Sequence, residues 1–117
     1  MELPSEGYLL RIIIGEAARH ENKHLYEWII IKAREHGIAG ATAVRGMMGY
    51  GAHSRIRTSS ILCLSEDLPV VIELIDSQQK LEEFLDVIDP VIPEGVVTME
   101  QVHVRLYRYS KKKNDTK

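Results

Sequence analysis

Two short apolar runs most constrain the fold of this chain, because each leads into an amphipathic helix and then into another extended segment. The first is residues 8–15 (YLLRIIIG) and the second is residues 69–76 (PVVIELID). Both are short, β-branched and bounded by polar segments, which predicts buried strands. In the first, period-two alternation puts Leu10, Ile12 and Ile14 on one face and Leu9, Arg11 and Ile13 on the other. The second opens on Pro69, at the end of a strand where a missing N–H is tolerated.

Between residues 24 and 36 the period changes. Leu25, Trp28, Ile29 and Lys32 or Ala33 recur at helical spacing. Asn22 is expected to cap this helix and Gly37 to end it, with Lys32, Arg34 and His36 suiting the dipole of the last turn. A second helix starts at Ser77, carries Leu81, Phe84, Leu85 and Ile88 on one face, and stops before Pro90 and Pro93. Residues 42–50 predict a glycine-interrupted strand, 51–60 an exposed loop, and 60–64 a short strand or loop arm. Gly95 turns the chain into a long last strand over residues 96–109, and residues 111–117 (KKKNDTK) form a polar tail.

Strand, helix, strand, long loop, strand, helix, strand is two βαβ halves. The expected fold is α+β: a ferredoxin-like βαββαβ sandwich over residues 1–110, with a four-stranded antiparallel sheet in the order 4-1-3-2 and two helices on one face. In that arrangement Val70, Ile72, Leu74, Val102, Val104 and Leu106 join the first strand's apolar face under the helices. Arg11, Ile13, Val71, Glu73, Ile75, His103, Arg105 and Tyr107 are left on the open face, where Arg11 and Arg105 are expected to meet Glu73. A half-apolar, charge-paired face of this kind predicts a subunit interface.

The chain has 117 residues, enough for one domain with a core of its own. Its net charge of −2 gives no overall field to draw nucleic acid or an anionic membrane. The apolar runs are too short to span a bilayer, and the acidic start, broken by Pro4 and Gly7, does not read as a signal peptide. The single Cys63 lies in an apolar run and fits a reducing compartment, so a cytoplasmic location is expected.

Chemistry concentrates in residues 37–60, which hold five of the eight glycines. So many glycines predict a close backbone approach to something else. Arg45, Arg55, Arg57, Arg105 and Arg108 form the basic set, and glycine backbone with arginine forks suits phosphate. There is no GxxxxGK[ST] run, so this is not a P-loop. His20-Glu21-Asn22-Lys23-His24 matches HExxH, the spacing by which zinc hydrolases place two imidazoles on one helix face. Here it straddles a helix entrance without a third ligand, so no metal is expected. His53, Ser54 and Ser59 lack the acid a hydrolase triad requires, and the chain is not expected to be an enzyme.

Residues 37–42 (Gly37-Ile38-Ala39-Gly40-Ala41-Thr42), the Gly49-Tyr50-Gly51 step before the loop, and Val104-Arg105-Leu106 together resemble the PII signal-transduction superfamily, and more closely its PII-like bacterial and archaeal relatives. The resemblance covers nearly the whole chain in element order. It implies a homotrimer with an adenine nucleotide in the clefts between subunits. Gly40, Ala41 and Thr42 would lie near the adenine; Gly49, Tyr50 and Gly51 near the phosphates; Arg105 and Arg108 would come from the last strand. The loop, with His53, Arg55 and Arg57, would contact a protein target such as an enzyme or transporter. The chain departs from the PII pattern at residues 89–96 (DPVIPEGV), which keep one glycine and lack the lysine, and at Arg108, which alternation sets opposite Arg105. ADP or AMP is therefore expected ahead of ATP. The alternatives are a small zinc-dependent hydrolase using residues 20–24 and an assembly module without ligand.

Overall fold

The computed structural model describes residues 5–52, 56–58 and 67–110. Strand β1 (Glu6–Gly15) is followed by a small hairpin, β2 (Arg19–His20) and β3 (Lys23–His24), then helix α1 (Leu25–Glu35). Strand β4 (Gly40–Arg45) leads to a second small hairpin, β5 (Met48–Gly49) and β6 (Arg57–Thr58). Strand β7 (Pro69–Asp76), helix α2 (Gln78–Ile88), a 3-10 turn (Asp89–Val91) and strand β8 (Val96–His103) complete the chain. The main sheet runs β4-β7-β1-β8 with every pair antiparallel. Counted by main strands this is the expected 4-1-3-2 order, read from the other edge.

Alternation along the two central strands builds the core. Leu10, Ile12 and Ile14 of β1 and Val70, Ile72 and Leu74 of β7 are buried. They pack with Leu25, Trp28, Ile29 and Ala33 of α1 and with Leu81, Phe84 and Ile88 of α2. Ser77 caps α2 by accepting a hydrogen bond from the Lys80 N–H, and Gly37 ends α1 at φ +73°.

Asn22 does not cap α1. It lies with Glu21 in the turn between β2 and β3, both at positive φ as a type I′ hairpin turn requires. His24 takes the N-cap position without a side-chain cap.

The expected strand over residues 42–50 breaks at Gly46, whose N–H donates to the Pro69 carbonyl at 2.6 Å. Pro69, the residue opposite Gly46, has no N–H with which to return that bond, so the β4–β7 ladder ends at Arg45.

Strand β8 also differs from expectation. Leu10 pairs with Met99 and Ile12 with Val97, which puts Val97 and Met99 on the helix side. Val102 pairs with Gly7 on the open side, one residue out of the expected phase. The strand stops at His103 rather than at residue 109, because its partner β1 starts at Glu6. The chain then leaves the ladder: the Val104 N–H donates to the Ser5 carbonyl, and the Tyr107 hydroxyl donates to the Ala39 carbonyl at 2.7 Å.

On the open face Arg11 reaches Glu73 at 2.9 Å, as expected, but its second partner is Glu100, at 3.3 Å; Arg105 has left the sheet. The Glu73 hydrogen bond raises the Arg11 pKa further above its ordinary value, so the charge is retained. Around this cluster lie half-buried Leu9, Ile13, Val71 and Ile75, with exposed Val44 and Val96 at the ends.

Candidate functional site

The eight residues singled out for nucleotide contact fall at two ends of the sheet. Gly40, Ala41 and Thr42 open β4 at one end. The preceding turn is held from both sides. Asp76, 3% exposed, accepts from the Ala39 N–H at 2.9 Å and the Ser77 N–H at 2.6 Å. Lys80 donates to the Gly37 carbonyl at 2.6 Å. The carboxylate thus ties the start of β4 to the start of α2. Asp76→Ala is expected to lower stability by about 2–3 kcal/mol, because two amides lose their acceptor in a buried place; chemical denaturation checks this.

Arg105 and Arg108 reach the same end, since Tyr107 between them is bonded to Ala39. Both are exposed and neither is in a strand, so the alternation expected to separate them does not apply.

Gly49, Tyr50 and Gly51 stand at the other end, six strand residues of β4 away, or about 20 Å. They border a cavity of ≈ 260 Å³ on the open side of the sheet. Its walls come from the ends of strands: Ile13 of β1, Pro69 and Val71 of β7, and Val96 of β8, with Glu94 and Gly95 from the preceding loop. Gly95 sits against β1 so closely that an added Cβ would lie 2.6 Å from the Ile13 carbonyl oxygen. A pocket assembled from three strand ends and the base of a loop has no local signature: Glu94 stood out only within the stretch that departs from the PII pattern, and Gly95 there and as the turn into the last strand.

Arg45 lies at this end but is paired with Glu16. The backbone of Arg57 pairs with Gly49 and that of Thr58 with Met48, closing the loop at its base. Exposed Met47, Met48, Tyr50 and Ile56 flank the base. His53 and Arg55, with Ser54, Ser59, residues 60–64 and the tail 111–117, lie outside the described residues.

The HExxH stretch folds as the β2–β3 hairpin, not as a helix. Arg19 pairs with His24 and His20 with Lys23, so alternation turns His20 and His24 to opposite faces. His20 packs edge-on against Trp28, while His24 stacks on Tyr26 and its Nδ1 contacts the Glu16 carbonyl at 2.8 Å. Among the described residues no three His, Cys, Asp or Glu side chains are grouped to hold a metal ion. None of the described helices is long and apolar enough to cross a membrane.

This sheet order, with both helices on one side, is the ferredoxin-like α+β sandwich, and solved structures similar to it include PII-like proteins. Similar structures include CPII of Thiomonas intermedia K12, a nitrogen regulatory PII-like protein bound to ADP, AMP and bicarbonate. It has a TM-score of 0.64 at 21% identity, covering 85% of this chain and 88% of that one. CutA1 of Oryza sativa has a TM-score of 0.54 at 10% identity, covering 86% and 81%. The chain belongs to the DUF190 family (Uncharacterized ACR), whose model matches residues 7–104. A UPF0166 protein of Aquifex aeolicus is 38% identical over 96 residues, 82% of this chain and 90% of the relative. A UPF0166 protein of Methanocaldococcus jannaschii is 31% identical over 97 residues, 82% and 89%.

Proposed function

We propose that the protein is a PII-like regulator that works in the cytoplasm as a homotrimer. It binds an adenine nucleotide, ADP or AMP ahead of ATP, between subunits, and signals to a protein target, an enzyme or a transporter, through the loop at residues 51–60. The observation that carries this is the division of the candidate residues between two ends of one sheet. A single protomer keeps Gly40, Ala41, Thr42, Arg105 and Arg108 far from Gly49, Tyr50 and Gly51. Copies packed through the open apolar face would bring one protomer's first group to its neighbour's second. That face has the apolar surround and central ion pairs of a subunit interface. Nucleotide bound at the loop base would then bias the loop toward one partner-binding arrangement.

The fold by itself does not choose a ligand, since it is similar to both CPII and CutA1. An assembly module without ligand is the competing reading, and titration calorimetry separates the two. Heat on adding ADP or AMP, with a melting temperature that rises with ligand concentration, is expected. A trimer that gives no heat with ADP, AMP or ATP and melts at one temperature throughout would overturn the nucleotide reading. The zinc hydrolase is not favoured, because the hairpin denies His20 and His24 a common face.

A further inference from the structure

We propose that Tyr107 is a positioning residue for the nucleotide: its bond to the Ala39 carbonyl holds Arg105 and Arg108 where they meet the phosphates. The inference rests on the nucleotide reading above and deepens it by naming what fixes the two arginines.

Neither arginine is placed by a strand ladder. Strand β8 ends at His103, and residues 104–110 lie outside any strand. Two bonds tether this segment. The Val104 N–H donates to the Ser5 carbonyl at 2.7 Å, and the Tyr107 hydroxyl donates to the Ala39 carbonyl at 2.7 Å. Arg105 lies between the two tethers and Arg108 directly after the second. Both arginines are exposed, so packing does not fix them. Ordering a loose segment around a ligand costs affinity, and a tether made before binding removes part of that cost.

The point that Tyr107 grips is itself fixed. The Ala39 N–H donates to buried Asp76 at 2.9 Å, and Gly40 pairs with Ile75 in the sheet. Lys80 holds the Gly37 carbonyl at 2.6 Å. The peptides on both sides of Ala39 are therefore tied down, and its carbonyl cannot swing to follow a loose segment. Latching sets the fraction of molecules whose arginines are ready for a ligand, and apparent affinity falls with that fraction.

Titration calorimetry with ADP on the natural protein, Arg105→Gln and Arg108→Gln, each with and without Tyr107→Phe, tests this. Tyr107 is exposed and phenylalanine keeps its ring, so the fold is retained; circular dichroism checks it. In the natural protein Tyr107→Phe should weaken ADP by about three- to fivefold, the worth of one net hydrogen bond. In either single-arginine background, where one arginine remains to keep binding measurable, the same change should cost only about twofold. An equal cost in all three backgrounds overturns the role of Tyr107, since the tyrosine would then act independently of the arginines. So does an ADP affinity that Tyr107→Phe leaves unchanged in the natural protein. No heat with ADP from any of the six proteins overturns the nucleotide reading and this inference with it.

Discussion

Gly95→Ala is expected to lower the melting temperature by about 10–20 °C, corresponding to a loss of about 2–4 kcal/mol. Two effects add. At φ +156° the position is one that residues with a Cβ rarely adopt, and the new methyl would lie 2.6 Å from a backbone oxygen of β1. The atom in the way is main chain in a central strand, paired with β7 on one side and β8 on the other, so it cannot move aside. Relief must come from β8, whose start would lift from β1 at the Ile13–Val96 pair. Because Val96 and Gly95 also line the cavity, ligand affinity should fall along with stability. Differential scanning calorimetry and circular dichroism measure the first effect. A melting point within about 2 °C of the natural protein's would mean that the close approach is not maintained in solution.

Ile13→Asp should have its largest effect on assembly. Ile13 is half-buried on the open face, beside Val71 and Val96, and its side chain points away from the helices. In an isolated protomer the new carboxylate would meet water, so the helix-side core and the far-ultraviolet spectrum should be retained. In a trimer packed through this face, each subunit would bury an unpaired charge, a cost of several kcal/mol per copy. Light scattering coupled to size exclusion should therefore show a mass change from three chains to one. Nucleotide binding should be lost in the same variant, since the two groups of site residues would no longer meet. A variant that remains trimeric would place the interface elsewhere.

Much of the architecture was legible because its signals are local. The alternation in β1 and β7, the cap at Ser77 and the stop at Gly37 each depend on a few adjacent residues. Together they sufficed for the element order, and the element order for the strand order. What was misread depends on partners distant in sequence. Adjacent Val96 and Val97 leave the phase of β8 open, and only pairing with β1 decides it. The end of β8 is likewise set by where β1 begins, His103 pairing with Glu6 from the far end of the chain. Asn22 suits a cap and a left-handed turn equally well, and the pairing of Arg19 with His24 chose the turn. For the site, glycine density drew attention to residues 37–60, whereas the strand ends that also line the cavity beside Gly49, Tyr50 and Gly51 carry no local mark. Neither Asp76 nor the contact from Tyr107 to Ala39 was anticipated, because each links segments more than thirty residues apart.

The bond from Tyr107 to Ala39 has a mechanical meaning. Strands β4 and β8 are the two outer members of the sheet, and outer strands ordinarily fray independently. Here the segment leaving β8 crosses the ends of the inner strands and grips the residue just before β4. It acts as a belt across the base of the sheet, so that loosening one margin slackens the other. A single exposed hydrogen bond of this kind is worth about 1 kcal/mol, so opening at one margin is coupled to the other by about that much.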